Sequence, residues 1–146
     1  MQSEDSRIRR VCAGFMDHHG TDQSIPGLLE ALTDSVPRVR REAVHSLSCN
    51  RCKESPFCRD MVPILIAVLE TEPNIKVRCE AIFGLGQQGR DSRAIPILTR
   101  ILAEETDDRL RKSTHTTLKF HSPEYRRQTD EAVRSRSLAR FAGRNR

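Results

Sequence analysis

Three stretches of this chain repeat one pattern: IPGLLEALTDSVPRVRREAVHSL from Ile25, VPILIAVLETEPNIKVRCEAIFGL from Val62 and IPILTRILAEETDDRLRKSTHTTL from Ile95. Their starts are 37 and 33 residues apart. No other feature restricts the fold as much, because a short unit of this kind cannot bury its apolar face alone and has to stack on its neighbours. Each unit reads as two helices joined by a short polar turn. Pro26, Pro63 and Pro96 fall in the first turn of the first helix, where a missing N–H leaves no bond unmade. Ser24, Asp60 and Ser92 are placed to cap it. Apolar residues then recur at helical spacing, as in Ile25, Leu28, Leu29 and Leu32, or Ile97, Leu98, Ile101 and Leu102. The second helices carry Val39, Ala43, Val44, Leu47, then Val77, Ala81, Ile82, Leu85, then Leu110, Thr114, Leu118. Gly84, Gly86 and Gly89 are read as closing the second unit. No segment has the pattern of a strand.

The ends follow from the same register. IRRVCAGFM places Ile8, Val11, Cys12 and Phe15 on one helical face, so residues 7–20 read as a half unit. Full units are expected at 24–50, 60–88 and 92–121, making residues 1–122 one domain. Residues 123–146 read as a basic terminal helix or tail in which Tyr125, Ala132, Val133, Leu138 and Phe141 turn inward. The expected fold is all-α: a right-handed α-α superhelix of about three repeats plus a half-repeat cap.

The repeats resemble the HEAT-repeat family, in particular the short bacterial repeats of phycobilisome-lyase-like proteins. The resemblance covers about residues 7–120. It is carried by an acidic residue six positions before an arginine: Asp34 and Arg40 in DSVPRVR, Glu72 and Arg78 in EPNIKVR, Glu105 and Arg111 in ETDDRLR. In that family these positions form a ladder of hydrogen bonds between neighbouring repeats, and a bidentate carboxylate–guanidinium pair is suited to fixing register. The third unit departs from the pattern: Leu110 stands for Val, and Ser113, Thr114, Thr116 and Thr117 replace small apolar residues, as expected near a polar end cap. The resemblance implies a scaffold for a protein partner. It carries no lyase activity, since no functional residue matches.

Charge is unevenly spread. The chain has a net charge of +5, but residues 121–146 hold seven arginines against Glu124, Asp130 and Glu131. The basic character therefore belongs to the tail, and the body is close to neutral. Within the body, Arg38, Lys76 and Arg109 occupy one equivalent column and Arg41 and Lys112 another. Equivalent positions of a stack share a face, so these residues form either a solvated surface or a basic stripe for an acidic partner. Nucleic acid is a weaker candidate, acting through the tail, because aromatic residues for stacking make up only 4% of the chain and tryptophan is absent.

The cysteines raise the remaining question. From Phe15 to Ile25 and from Leu85 to Ile95 is 10 residues, but from Leu47 to Val62 is 15, and Cys49, Cys52 and Cys58 lie in or beside that insertion (49–59). His45 sits four residues before Cys49, one helical turn away, giving His-x3-Cys-x2-Cys-x5-Cys. A Cys-x2-Cys turn can converge two thiolates on one tetrahedral ion, and a Cys3His set suits structural Zn2+. In a stack the preceding connection lies beside this one, so DHHG (Asp17, His18 and His19) is an alternative source of the fourth ligand. Free thiols and a redox pair remain open alternatives. A metal would also hold a long connection that has few apolar residues of its own. The five cysteines and the polar N-terminus MQSEDSRIRR, without an apolar h-region, are expected of a reducing, cytoplasmic setting. No glycine-rich phosphate loop, nucleophile elbow, HExxH or His-Glu dipeptide is present, and His115 and His121 are expected at the surface. The reading is a non-catalytic binding scaffold or adaptor with a structural zinc ion in its first inter-repeat loop. The alternatives are a metal-dependent or redox-sensing protein, or a nucleic-acid-associated one.

Overall fold

A computed structural model describes residues 3–144, apart from the side chains of residues 138, 139 and 141–144. Eight α-helices account for its regular structure, with no strand among the described residues: α1 (Ser6–His19), α2 (Ile25–Ala31), α3 (Pro37–Ser48), α4 (Val62–Thr71), α5 (Ile75–Gln87), α6 (Ile95–Glu104), α7 (Asp108–His121) and α8 (Pro123–Arg144). Helices α2 and α3, α4 and α5, and α6 and α7 pack as pairs, while α1, α3, α5 and α7 lie side by side in one row. This is an all-α solenoid. The buried apolar residues form one continuous core, with Leu28, Leu47, Leu65, Ile82, Leu85, Leu98 and Leu110 almost wholly enclosed. None of the described helices is long and apolar enough to cross a membrane.

The capping differs in detail from the sequence expectation. A single 3-10 turn, capped by Thr21, precedes α2 (Asp22–Ser24) and another, capped by Asp91, precedes α6 (Ser92–Ala94); Ser24 is the N-cap residue of α2 but makes no side-chain cap bond, and Ala94 takes the place expected for Ser92. Asp60 accepts from the Val62 N–H at 3.1 Å, as placed. Gly84 and Gly86 do not end α5, which continues to Gln87. A Cβ on Gly84 would lie 2.5 Å from the Ser48 Oγ, so the glycine lets α3 and α5 approach closely.

The ladder runs from each arginine to the acid of the following unit. Arg40 forks onto Glu72 with two bonds of 2.7 Å, and Arg78 reaches Glu105 at 2.6 Å. The Arg40 guanidinium also donates to the Asp34 carbonyl, tying its own turn. Asp34 is held from the other side by Arg9, at 2.6 and 3.0 Å. Arg9 belongs to the half unit and aligns with Arg40, so the rung is detectable once α1 is placed in register. Arg111, at the end of the series, donates to the Glu105 backbone carbonyl.

Four expectations are corrected. Ile8, Val11 and Phe15 do not face inward: they are 51%, 62% and 58% exposed. Contact with α3 is made by the small Ala13 and by Asp17, with Ser46 donating to the Ala13 carbonyl, because close approach selects small side chains. His121 is buried, not at the surface. It accepts from the Asp91 N–H at Nδ1 and donates from Nε2 to the Leu85 carbonyl, stitching α7 to the connection after α5. Thr114 and Thr117 are interior, their hydroxyls bonded to the carbonyls of Leu110 and Ile82. In the tail, Tyr125 packs on the core and bonds to His115, whereas Ala132 and Val133 are exposed. Leu138 and Phe141 lie outside the described side chains.

Candidate metal centre and docking face

The last turn of α1, the last turn of α3 and the loop after it converge on one cluster. Helix α3 stops at Ser48, and Cys49 caps it in an extended conformation with its N–H still bonded to the His45 carbonyl. That exit turns the chain back over the helix end and brings Cys52 to His45. The ligand-type atoms of Asp17, His45, Cys49 and Cys52 all lie within 4.8 Å of one another. The two Sγ atoms are 3.0 Å apart, the Cys52 Sγ is 3.8 Å from His45 Nε2, and His45 Nε2 is 3.3 Å from an Asp17 oxygen. Asp17 is 5% exposed, and its Oδ1 is buried without a hydrogen-bond partner. All five cysteines are unpaired.

The surroundings are charged and enclosed. His45 Nδ1 is 2.8 Å from Glu80 Oε1, and Glu80 also accepts from Arg41 at 2.8 Å. The Glu80 hydrogen bond, aided by Asp17 and Cys49 and opposed by burial, raises the His45 pKa to about 9. Burial pushes the Glu80 carboxyl up, but its bonds to His45 and Arg41 outweigh this and hold it low. Burial likewise pushes the Cys49 thiol up, while hydrogen bonds from Cys52 and from the backbone, with the His45 charge, bring it down. Cys52 is pushed up to about 12 by its hydrogen bond with Cys49 and by burial. Of the two thiols, Cys49 is therefore the more acidic. The Lys53 side chain is fully enclosed; its Nζ donates to the Cys49 carbonyl, lies 3.6 Å from Asp17 and sits 4.7 Å from the Phe57 ring centre.

Against the sequence expectation, the structure brings together His45, Cys49 and Cys52 and leaves Cys58 out. Cys58 is exposed, with its N–H bonded to Asp22. His18 is mostly exposed and uses Nδ1 on the Cys52 carbonyl, which holds the loop from the α1 side; His19 stacks on Phe15. Of the three residues that DHHG offered as a source of the fourth ligand, the structure brings in Asp17 and neither histidine. Asp17 sits one position before the histidines, but only the packing of α1 on α3 turns its carboxylate inward.

The basic columns open on one face. Arg41, His45, Ile75, Lys76, Glu80, Phe83 and Arg109 line a depression crossing α3, α5 and the start of α7, and Arg38 with Lys76 borders an adjoining one toward α1. Ile75 and Phe83 are 37% and 47% exposed there. Arg41 is held by a carboxylate, that of Glu80; Lys112 is exposed one turn further along α7.

Comparison with known proteins agrees with the architecture. Over 81 residues, 56% of this chain, the sequence is 30% identical to condensin complex subunit 1 of Saccharomyces cerevisiae, and the match spans only 6% of that protein's length. The family model of HEAT repeats matches residues 62–135, half of the chain and the span from α4 into α8. With the stacked helix pairs and the arginine–carboxylate rungs, that match places the chain in the HEAT-repeat family.

Proposed function

We propose that the chain is a non-catalytic scaffold or adaptor that receives an acidic, partly apolar segment of a protein partner on the face of α3, α5 and α7. The observation that supports this is a pair of adjoining depressions that share Ile75 and Lys76, one lined also by Arg38 and the other by Phe83 and Arg109. Cations in equivalent repeat positions offer a carboxylate-bearing chain a regular series of contacts, and the two apolar side chains offer it an anchor. The cysteine loop serves the same scaffold as a structural zinc clasp at its first junction, fixing α1 against α3. Family membership supports the scaffold role, and the charge pattern supports the class of partner.

The test uses a labelled peptide of alternating glutamate and leucine, with a lysine–leucine peptide as its counterpart. The acidic peptide is expected to bind with an affinity that falls as salt rises. The triple variant Arg38→Glu, Lys76→Glu, Arg109→Glu is expected to weaken it at least about tenfold, the combined loss of a few rim charges. Equal binding of both peptides, or an unaffected triple variant, would sink the reading. Salt-sensitive binding of single-stranded DNA that disappears on removal of residues 123–146 would support the nucleic-acid alternative, for which the exposed Arg126, Arg127, Arg134, Arg136 and Arg140 of α8 are the basis.

A further inference from the structure

We infer that Asp17, His45, Cys49 and Cys52 together hold one zinc-class divalent ion, with Asp17 in the place that sequence spacing assigns to Cys58. The inference rests on the zinc-clasp reading and names its donors. The first support is distance. A tetrahedral ion with bonds of ~2.0–2.3 Å has ligand–ligand edges of about 3.3–3.8 Å. The edge from His45 Nε2 to Asp17 Oδ2 is 3.3 Å and that from Cys52 Sγ to His45 Nε2 is 3.8 Å; the sulfur pair, at 3.0 Å, has to open, and every remaining edge is within 4.8 Å.

The second support is the unpartnered oxygen. A buried carboxylate atom without a hydrogen bond is costly, yet Oδ1 of the almost fully enclosed Asp17 has none, its nearest cation being the Lys53 ammonium at 3.6 Å, while Oδ2 is the oxygen that faces His45. A cation between this carboxylate and the thiolates removes that cost. The third is the outer shell. His45 turns its Nδ1 to Glu80, and Glu80 is itself anchored by Arg41, so the ring is oriented with Nε2 into the cluster. A carboxylate behind the histidine is the usual companion of a metal-bound imidazole.

Charge points the same way. Two thiolates, one carboxylate and a neutral imidazole around a dication leave one excess negative charge. The enclosed Lys53 ammonium, beside Asp17 and bonded to the Cys49 carbonyl, neutralises it. The donor set excludes the hard cations, because sulfur and imidazole favour zinc over magnesium or calcium. Four protein donors from three segments close the coordination sphere, which suits a structural ion. Cys58 is exposed and remains free for solvent.

The test is cobalt titration of the full chain, purified metal-free under reductant. One equivalent of Co2+ is expected to give thiolate-to-cobalt charge transfer and tetrahedral ligand-field absorption, both abolished by Zn2+. Cys58→Ser is expected to leave the spectrum and affinity unchanged. Asp17→Asn is expected to weaken binding at least about tenfold, since even outer-shell changes cost that much. Asp17→Cys guards against a variant that fails to fold: a third thiolate should raise the charge-transfer intensity by roughly half, in proportion to the cobalt–sulfur bonds. If no variant and not the parent chain binds cobalt, both this inference and the zinc clasp fall. If cobalt binds, but Cys58→Ser abolishes it while Asp17→Asn and Asp17→Cys leave it unchanged, only the donor assignment falls.

Discussion

Gly84 and Gly27 both sit inside helices, yet replacing them with alanine should act in opposite directions. A methyl group on Gly84 would meet the Oγ and Cβ of Ser48 at 2.5 and 2.7 Å, and Ser48 is fully buried and bonded to the Val44 carbonyl. Helices α3 and α5 would have to separate, at a cost of about 1–3 kcal/mol, which exceeds the helix-propensity gain of up to ~1 kcal/mol. A methyl group on Gly27 meets nothing within 4 Å, so Gly27→Ala should stabilise by about 0.5–1 kcal/mol. Urea denaturation of the two variants decides it, and a neutral or stabilised Gly84→Ala would contradict the packing. The pair also shows where sequence reading stops at this scale. Both glycines look alike in the one-dimensional pattern; only the crossing of α5 on α3 distinguishes them. Asp17 is an intermediate case: sequence offered it together with His18 and His19, and only the packing of α1 on α3 separates its enclosed carboxylate from the two exposed rings. The meeting of Cys49, Cys52 and His45 was legible because their spacing is local, whereas the place of Cys58, which lies apart from them, was not, because a five-residue gap does not fix direction.

Between elements, the rungs of arginine and carboxylate do what hydrophobic packing cannot, which is to specify register. Both members of the Arg40–Glu72 pair are shielded, with 14% and 6% of their side chains exposed, and the contact is bidentate. Arg40→Ala leaves Glu72 buried with only the Asn74 N–H for company. A loss of about 2–3 kcal/mol is expected, typical of hydrogen bonds to charged groups, with positive coupling in a double-mutant cycle with Glu72→Gln. The rungs also set an acid limit. The Arg9 hydrogen bond lowers the Asp34 carboxyl from 3.8, and the Arg40 hydrogen bond lowers the Glu72 carboxyl from 4.5. A depressed native pKa contributes stability that is complete above the unfolded value and is lost as pH falls through the native one. Melting temperature should therefore hold above about pH 5 and decline below it, and the decline should be shallower in Arg40→Met, Glu72→Met, where that rung is absent. An equally steep decline in that variant would place the acid sensitivity elsewhere. The rungs at Glu72 and Glu105 were readable from the six-residue spacing; that each reaches backward to the previous arginine, and that Arg9 begins the series, required the stack.

At the scale of the molecule, stability in a stack is the sum of unit and neighbour terms, so position along the row should govern local opening. Helix α5 is flanked by α3 and α7, whereas α8 packs on α7 through its first turns, where Tyr125 and the Lys119–Asp130 pair lie, and exposes its next residues. Amide exchange should accordingly be slowest in α3 and α5 and fastest in α8. The stronger form of this argument concerns a change made at one end. Leu118 is 2% exposed on α7, and Leu118→Ala removes core volume at a cost of about 2–5 kcal/mol. In a stack that loss is felt most by α7 and by α5, α6 and α8, which pack on it, and progressively less toward α1. Site-resolved exchange should show the increase graded in that order. The order matters for the first junction, because the Cys49–Cys52 cluster lies where α1 meets α3, at the other end of the row. Its cobalt spectrum should survive Leu118→Ala at temperatures where α7 and α8 already exchange freely. A uniform rise across all helices, with simultaneous loss of the cobalt bands, would mean that the molecule unfolds as one unit and that the junctions are not separable.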